Sequence, residues 1–308
     1  MSALRDRLDE YLSVRRSLGF KLVEEARLLS QFVAHLEEHQ VLTVTTEIAL
    51  EWSMLSPSRS RSQGSKRLGM VRGFAKHLLA LDPATQVPPA QLLPNQPHRA
   101  IPFIYSDLDI QRLQEEARKI RTPLRAGTYV TLIGLLATTG MRVGEVIRLD
   151  RKDVDMKNGV LTVRDSKFGK SREVPLHEST VQALRTYARR RARLCPHPKS
   201  PAFLVSTPGT RLIYKNVQHV YIMLTRRAGL TPRSPSCRPR IHDLRHTFAV
   251  RTVLEWYRAS LDVETRLPLL STYLGHSAPA STYWYLSATP ELMALASQRL
   301  EQASGGAS

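Results

Sequence analysis

The sequence predicts a mainly α chain of two domains, with a small antiparallel sheet in the second. Three observations carry that expectation. Apolar residues recur at helical spacing through the first 80 residues. Six prolines crowd residues 83–102. Two valine-rich alternating stretches flank "KFGK" at 167–170.

The first helix is read from Leu4, Leu8, Tyr11, Leu12 and Val14, with Gly19 as its C-terminal cap. Leu22, Ala26, Leu29, Phe32, Val33 and Leu36 continue as a second helix. A third, short helix starts after Thr45, and "SKRLGMVRGFAKHLLAL" makes a fourth, amphipathic and basic one. Between the last two, residues 56–66 read as a polar loop. Arg59, Arg61 and Lys66, with Arg67 just beyond, are its candidate phosphate contacts, and a solvated loop explains any one of them equally well. These four helices form a first domain, 1–82. Proline denies both helix and central strand, so residues 83–103 are expected to be an extended linker.

The second domain, 104–308, opens on Ser106, a good N-cap with Asp109 three residues on. "LRAGTYVTLIGLLATTG" is nearly continuously apolar and predicts a buried helix ending at Gly140. "GVLTVRDS" and "SREVPLH" predict a hairpin turning at "KFGK". Further helices follow at "ESTVQALRTYARRRARL", "NVQHVYIMLTRRAGL" and "HDLRHTFAVRTVLEWYRASL".

The 308 residues carry 45 Lys and Arg against 27 Asp and Glu, a formal charge of +18, and 42% are hydrophobic. A core is available, and the charge points to a polyanion, most simply nucleic acid. Residues 1–100 hold 13 basic against 10 acidic residues, leaving 32 against 17 for the remainder. The tighter polyanion contact is therefore expected in the second domain. Two cysteines without a CxxC suit a reducing cytoplasm. Cys195, His197, Cys237 and His242 match no common zinc spacing, and the His242/His246 pair lacks a third ligand, so no metal is expected. The charged N-terminus is no signal peptide, and no apolar run is long enough to span a membrane.

Four short motifs carry chemistry. In "ATTGMRVGEVIRL", Arg142 follows the glycine that ends a buried helix, and Glu145 stands one turn on. Taken alone this is a structural ion pair. "KFGKSREVP" sets Lys167 and Lys170 at a hairpin tip, with Arg172 in the following strand. In "IHDLRHTFAV", His242 and Arg245 share one helix face. In "LGHSAPASTYWYL", His276 follows Gly275, and Tyr283 and Tyr285 point in different directions.

In this order, the residues resemble the tyrosine recombinase (phage-integrase) family, over about residues 104–302. The resemblance implies a catalytic set of Arg142, Lys167, His242, Arg245, His276 and Tyr285, with Glu145 in support. The register after "LGH" selects Tyr285 as the nucleophile, and that before Pro175 selects Lys167 over Lys170 as the proton donor. Lys170 and Arg172 join the DNA-contact candidates. The implied protein is a C-shaped clamp on double-stranded DNA: an N-terminal four-helix core-binding domain and a C-terminal catalytic domain. It forms a homo-tetramer on DNA, and a monomer or weak oligomer free of it. The implied activity is site-specific cleavage and rejoining through a 3′-phosphotyrosyl intermediate, without metal, ATP or other cofactor, in the cytoplasm, for a mobile element. A type IB topoisomerase-like enzyme and a catalytically silent DNA-binding regulator are the rival readings. The interval from Arg245 to His276 is longer than in compact relatives, which predicts an extended helix or loop there.

Overall fold

Thr45 stands in extended backbone, and its Oγ1 accepts the amide of Ile48 at 3.4 Å. That bond satisfies an amide with no partner inside the helix, so α3 (Thr46–Met54) begins there. The structure is a computed structural model and describes residues 3–55, 61–93, 101–164 and 171–275. Three more helices accompany α3: α1 (Ala3–Ser17), α2 (Val23–Glu38) and α4 (Arg61–Leu79). Leu8 and Leu12, then Leu29, Phe32, Val33 and Leu36, then Trp52, then Leu68, Val71, Phe74 and Leu78 share one core. Burying each large side chain contributes roughly 1.5–3 kcal/mol. Val14 departs from the expected apolar stripe and is half exposed. Two residues past Leu12, it sits about 200° around the helix. The polar loop is also shorter than expected. Helix α4 already begins at Arg61, so Lys66 and Arg67 are helical.

The chain divides into two compact units, Met1–Arg99 and Ala100–Ser308. The described parts of the proline stretch are each held by their own unit. Its first half is a strap on the first unit. The Gln86 amide donates to Val44 O at 2.8 Å, and Gln86 Oε1 accepts the Thr46 amide at 3.0 Å. Arg72 donates from Nε and Nη2 to the carbonyls of Pro88 and Pro89, both at 2.7 Å. Proline cannot donate, but its carbonyl accepts as well as any other. At the other end, Ile101 O accepts Arg240 Nη2 at 3.3 Å and Pro102 O accepts Cys237 Sγ at 3.6 Å, and Tyr105 follows in the second unit. There the Tyr105 amide meets Thr247 Oγ1 at 3.0 Å, and its hydroxyl donates to Arg240 O at 3.0 Å.

In that second unit, Ser106 Oγ accepts the Asp109 amide and Asp109 Oδ2 accepts the Ser106 amide, closing a reciprocal cap. Helix α5 (Asp107–Arg118) follows, then α6 (Pro123–Thr139), whose Leu132, Ile133, Leu135 and Leu136 are buried in the main core. Helix α6 ends at Gly140, φ 59°, where an added Cβ would run into the Phe248 ring. Helix α7 (Val143–Arg148) leads to a sheet of order β1-β2-β3: β1 (Val154–Asp155), β2 (Val160–Val163) and β3 (Arg172–Pro175). Both pairings are antiparallel, with Leu161 opposite Val174 and Val163 opposite Arg172. Leu161, Val163 and Val174 face inward.

Helices α8 (Glu178–Leu194), α9 (Tyr214–Arg227), α10 (Asp243–Arg258) and α11 (Val263–Leu274) complete the described unit. The long interval after Arg245 is filled by the rest of α10, a turn through Ser260 at φ 56°, and α11. Asp262 Oδ1 accepts the amides of Glu264 and Thr265 and so starts α11. Val250, Val253 and Leu254 of α10 pack against Val263, Leu267, Leu270 and Leu274. Among the described residues, no helix is long and apolar enough to cross a membrane.

Candidate active site

Arg142 precedes the first residue of α7 because the buried α6 must stop at Gly140 to clear Phe248. Glu145, one turn on, accepts both the Arg142 amide at 2.9 Å and its Nη1 at 2.8 Å. The backbone and the guanidinium of Arg142 are thus fixed by one carboxylate. Arg142 Nη2 donates to Gly275 O at 2.8 Å, and 30% of the side chain stays exposed.

Arg245 reaches the same place from α10. It is 2% exposed and donates from Nη1 to Gly140 O at 2.9 Å and from Nη2 to Leu274 O at 2.6 Å. The two arginines therefore meet at consecutive carbonyls at the end of α11. The end of a helix carries partial negative charge, which suits two cations. His242 sits at the start of α10, open to solvent on one side. Burial among protein atoms, then the charges of Arg245, Arg142 and Arg240, push its imidazole down to about 4. It is neutral at pH 7. Its ring meets that of His246 edge-on at 4.9 Å, and His246 Nε2 lies 4.0 Å from the buried Asp243 carboxylate.

Burial drives the Glu145 carboxyl up, but hydrogen bonds and charge from Arg172 and Arg142 outweigh it and hold the group at about 2. Its folded value lies below the ordinary 4.5, so the stability it contributes is complete above that pH and lost as pH falls toward 2. The loss amounts to about 3 kcal/mol. A series of thermal melts from pH 6 to pH 2.5 is expected to show it, with Glu145→Gln flattening the decline below pH 4.5. An unchanged slope in that variant contradicts the assignment.

Sequence reasoning brought Arg142, Glu145, His242 and Arg245 to one place, and the structure joins them there. It misplaced two arginines. Arg172, read as a DNA contact, has a side chain only 13% exposed, gripping Glu145 with Nη1 at 3.1 Å and Nη2 at 2.8 Å. The signal was available: in a strand, Arg172 lies on the same face as Val174. Arg67, also read as a DNA contact, is 8% exposed with its guanidinium 3.8 Å from the Trp52 ring centroid. Stacking on an indole hides the charge that suggested a surface role. Lys66 is exposed on α4. Arg59, Lys167, Lys170, His276 and Tyr285 lie outside the described residues, as does the side chain of Arg61. Cys195 and Cys237 are free thiols. Among the described residues, three metal-ligating side chains come together only at His35, His39 and Glu51, in the first unit.

One buried arginine, Arg245, and one partly exposed arginine, Arg142, stand beside a neutral histidine, the kind of donor set that matches phosphate oxygens. The family model of the phage integrase family matches residues 106–291. A putative integrase/recombinase, y4rB, of Sinorhizobium fredii is 47% identical over 98% of both chains. The tyrosine recombinase XerC of Azotobacter vinelandii is 27% identical over 72% of this chain and 68% of its own. Among solved structures, a lambda integrase tetramer bound to a Holliday junction superposes with a TM-score of 0.63 at 16% identity. The match covers 92% of this chain and 76% of that one, a likeness of fold. The chain belongs to the phage integrase family of tyrosine recombinases.

Proposed function

We propose that the chain is a site-specific DNA recombinase that breaks and rejoins duplex DNA through a 3′-phosphotyrosyl bond to Tyr285. The observation that carries this reading is the convergence of Arg142 and Arg245 on the end of α11, one residue before His276 in sequence, with His242 close enough to feel both charges.

The chemistry follows from the residue types. The Tyr285 oxygen attacks the scissile phosphorus, the phosphorus–oxygen bond to the 5′ carbon breaks, and a phosphotyrosyl ester forms. Negative charge gathers on the non-bridging oxygens, where Arg142 and Arg245 neutralise it and His276 donates a hydrogen bond. His242, neutral at pH 7, accepts a proton or a hydrogen bond at this step. Lys167 protonates the departing 5′ oxygen. Attack of a 5′ hydroxyl from a second duplex reverses the chemistry and joins new partners. The ester conserves the bond energy, so ATP is not required, and Arg142 and Arg245 supply the neutralising charge that a metal ion would otherwise provide.

Four protomers acting on two duplexes would complete the exchange. The lambda integrase relative, a tetramer on a Holliday junction, supports that assembly. Movement of a mobile element, in the cytoplasm on nucleoid DNA, is the biological setting this reading favours. The test uses a duplex that the full-length chain selects from a random-sequence library, nicked to trap cleavage. In EDTA, a covalent adduct is expected with the parent chain and none with Tyr285→Phe, which still binds. Binding without any adduct in the parent marks a silent regulator. Relaxation of plasmids lacking that sequence marks a topoisomerase. Loss of the adduct in chelator reinstates a metal.

A further inference from the structure

Helix α11 ends in an arrangement that the recombinase chemistry does not by itself require. The Gly275 amide, φ 66°, turns back to the carbonyls of Ser271 and Thr272. The next three carbonyls are each taken by a different arginine. Arg172 Nε donates to Tyr273 O at 2.7 Å, Arg245 Nη2 to Leu274 O at 2.6 Å, and Arg142 Nη2 to Gly275 O at 2.8 Å. These side chains come from β3, from α10 and from the residue before α7, so three separate parts of the unit grip one helix end. A side chain at 275 would be strained at this φ and would press on the Arg172 guanidinium. A Cβ there would lie 3.0 Å from Arg172 Nη1 and 3.5 Å from Arg142 Nη1.

Arg172 also determines how Glu145 acts on Arg142. The carboxylate is 3% exposed and is shared between the two guanidiniums. One negative charge between two positive ones leaves the cluster net positive toward a phosphate. Without Arg172, the same carboxylate would pair with Arg142 alone and cancel it. We infer that Arg172 is a positioning residue for strand cleavage: it holds Glu145 and the end of α11 so that Arg142, not cancelled by the carboxylate, presents its charge to the phosphate. This rests on the recombinase reading. Arg172 touches no DNA in this account. Its planar fork spans a carboxylate and a carbonyl at once, which an ammonium cannot do.

The test compares the full-length chain with Arg172→Met, on the selected nicked duplex described above. Single-turnover adduct formation is expected to fall about 100-fold, the scale of a small misplacement of reacting groups. Binding to the intact duplex should stay within about twofold, since no phosphate contact is removed. Two readouts separate positioning from simple structural support. With Arg172 gone, burial raises the Glu145 carboxyl, so the deficit should narrow as pH falls and the acid protonates. Adding Glu145→Gln to Arg172→Met should recover part of the lost rate. Arg172→Lys retains the charge and should show the same defect in weaker form, which covers poor folding of the methionine variant. Parental rates in both variants overturn the inference, as does a rate loss equal at every pH that Glu145→Gln does not relieve. If the parent chain itself forms no adduct, the recombinase reading fails, and hydrogen exchange in the DNA-free protein decides the inference alone. Faster exchange at the Gly275 amide in Arg172→Met upholds the clasp, and unchanged exchange refutes it.

Discussion

Arg245→Ala is expected to lower the melting temperature of the second unit by about 10 °C and, on the proposed function, to abolish strand cleavage. The side chain is 2% exposed and bridges the ends of two helices, α6 through Gly140 O and α11 through Leu274 O. Truncation leaves both buried carbonyls without these donors and opens space among packed side chains. Each orphaned acceptor costs about 1–3 kcal/mol, and the vacated volume adds to that. A total of about 3 kcal/mol corresponds to the stated shift for a unit of this size. On the proposed function, cleavage is lost because the phosphate loses one of two guanidiniums. Differential scanning calorimetry on the full chain measures the first effect. A melting temperature within about 2 °C of the parent contradicts the structural role given to Arg245.

Arg142→Lys has the opposite profile. Its side chain is partly exposed, and a lysine retains the charge that faces Glu145. Stability should change by less than about 1 kcal/mol. Cleavage should fall about 100-fold or more, the cost of removing one donor from a preorganised anion site. A guanidinium binds Glu145 and Gly275 O in one plane and, on the proposed function, has a donor left for a phosphate oxygen, whereas an ammonium presents a single point of charge. Single-turnover adduct formation, with the duplex saturating, reads the effect free of binding. Near-parental cleavage by this variant removes Arg142 from the transition state.

What could be read from the sequence was local. The cap at Ser106 depends on a residue three positions on, and its bond is present, as is the start of a helix after Thr45. The end of α6 at Gly140 followed from one glycine after an apolar run. The Arg142–Glu145 pair needed only helical spacing. What could not be read depends on distant partners. Arg245 finds Gly140 across 105 positions, and Arg142 finds Gly275 across 133. Nothing in either neighbourhood announces that. Arg67 and Arg172 were given surface roles because charge alone suggests solvent. One lies on Trp52 and the other on Glu145, 27 residues back in the chain. The proline stretch was correctly kept out of helices, but its carbonyls were overlooked as acceptors for Arg72.

The central claim is that a tyrosine hydroxyl of this chain becomes esterified to DNA, and that the hydroxyl is that of Tyr285. Its neighbour Tyr283 has the same chemistry two residues away, so the claim is specific to one position. The adduct trapped on the nicked duplex can be digested with protease and nuclease and the nucleotide-bearing peptide sequenced by mass spectrometry. The account predicts a single modified residue, Tyr285, with Tyr283→Phe forming the adduct at an undiminished rate. A nucleotide on Tyr283, or on any other side chain, contradicts it.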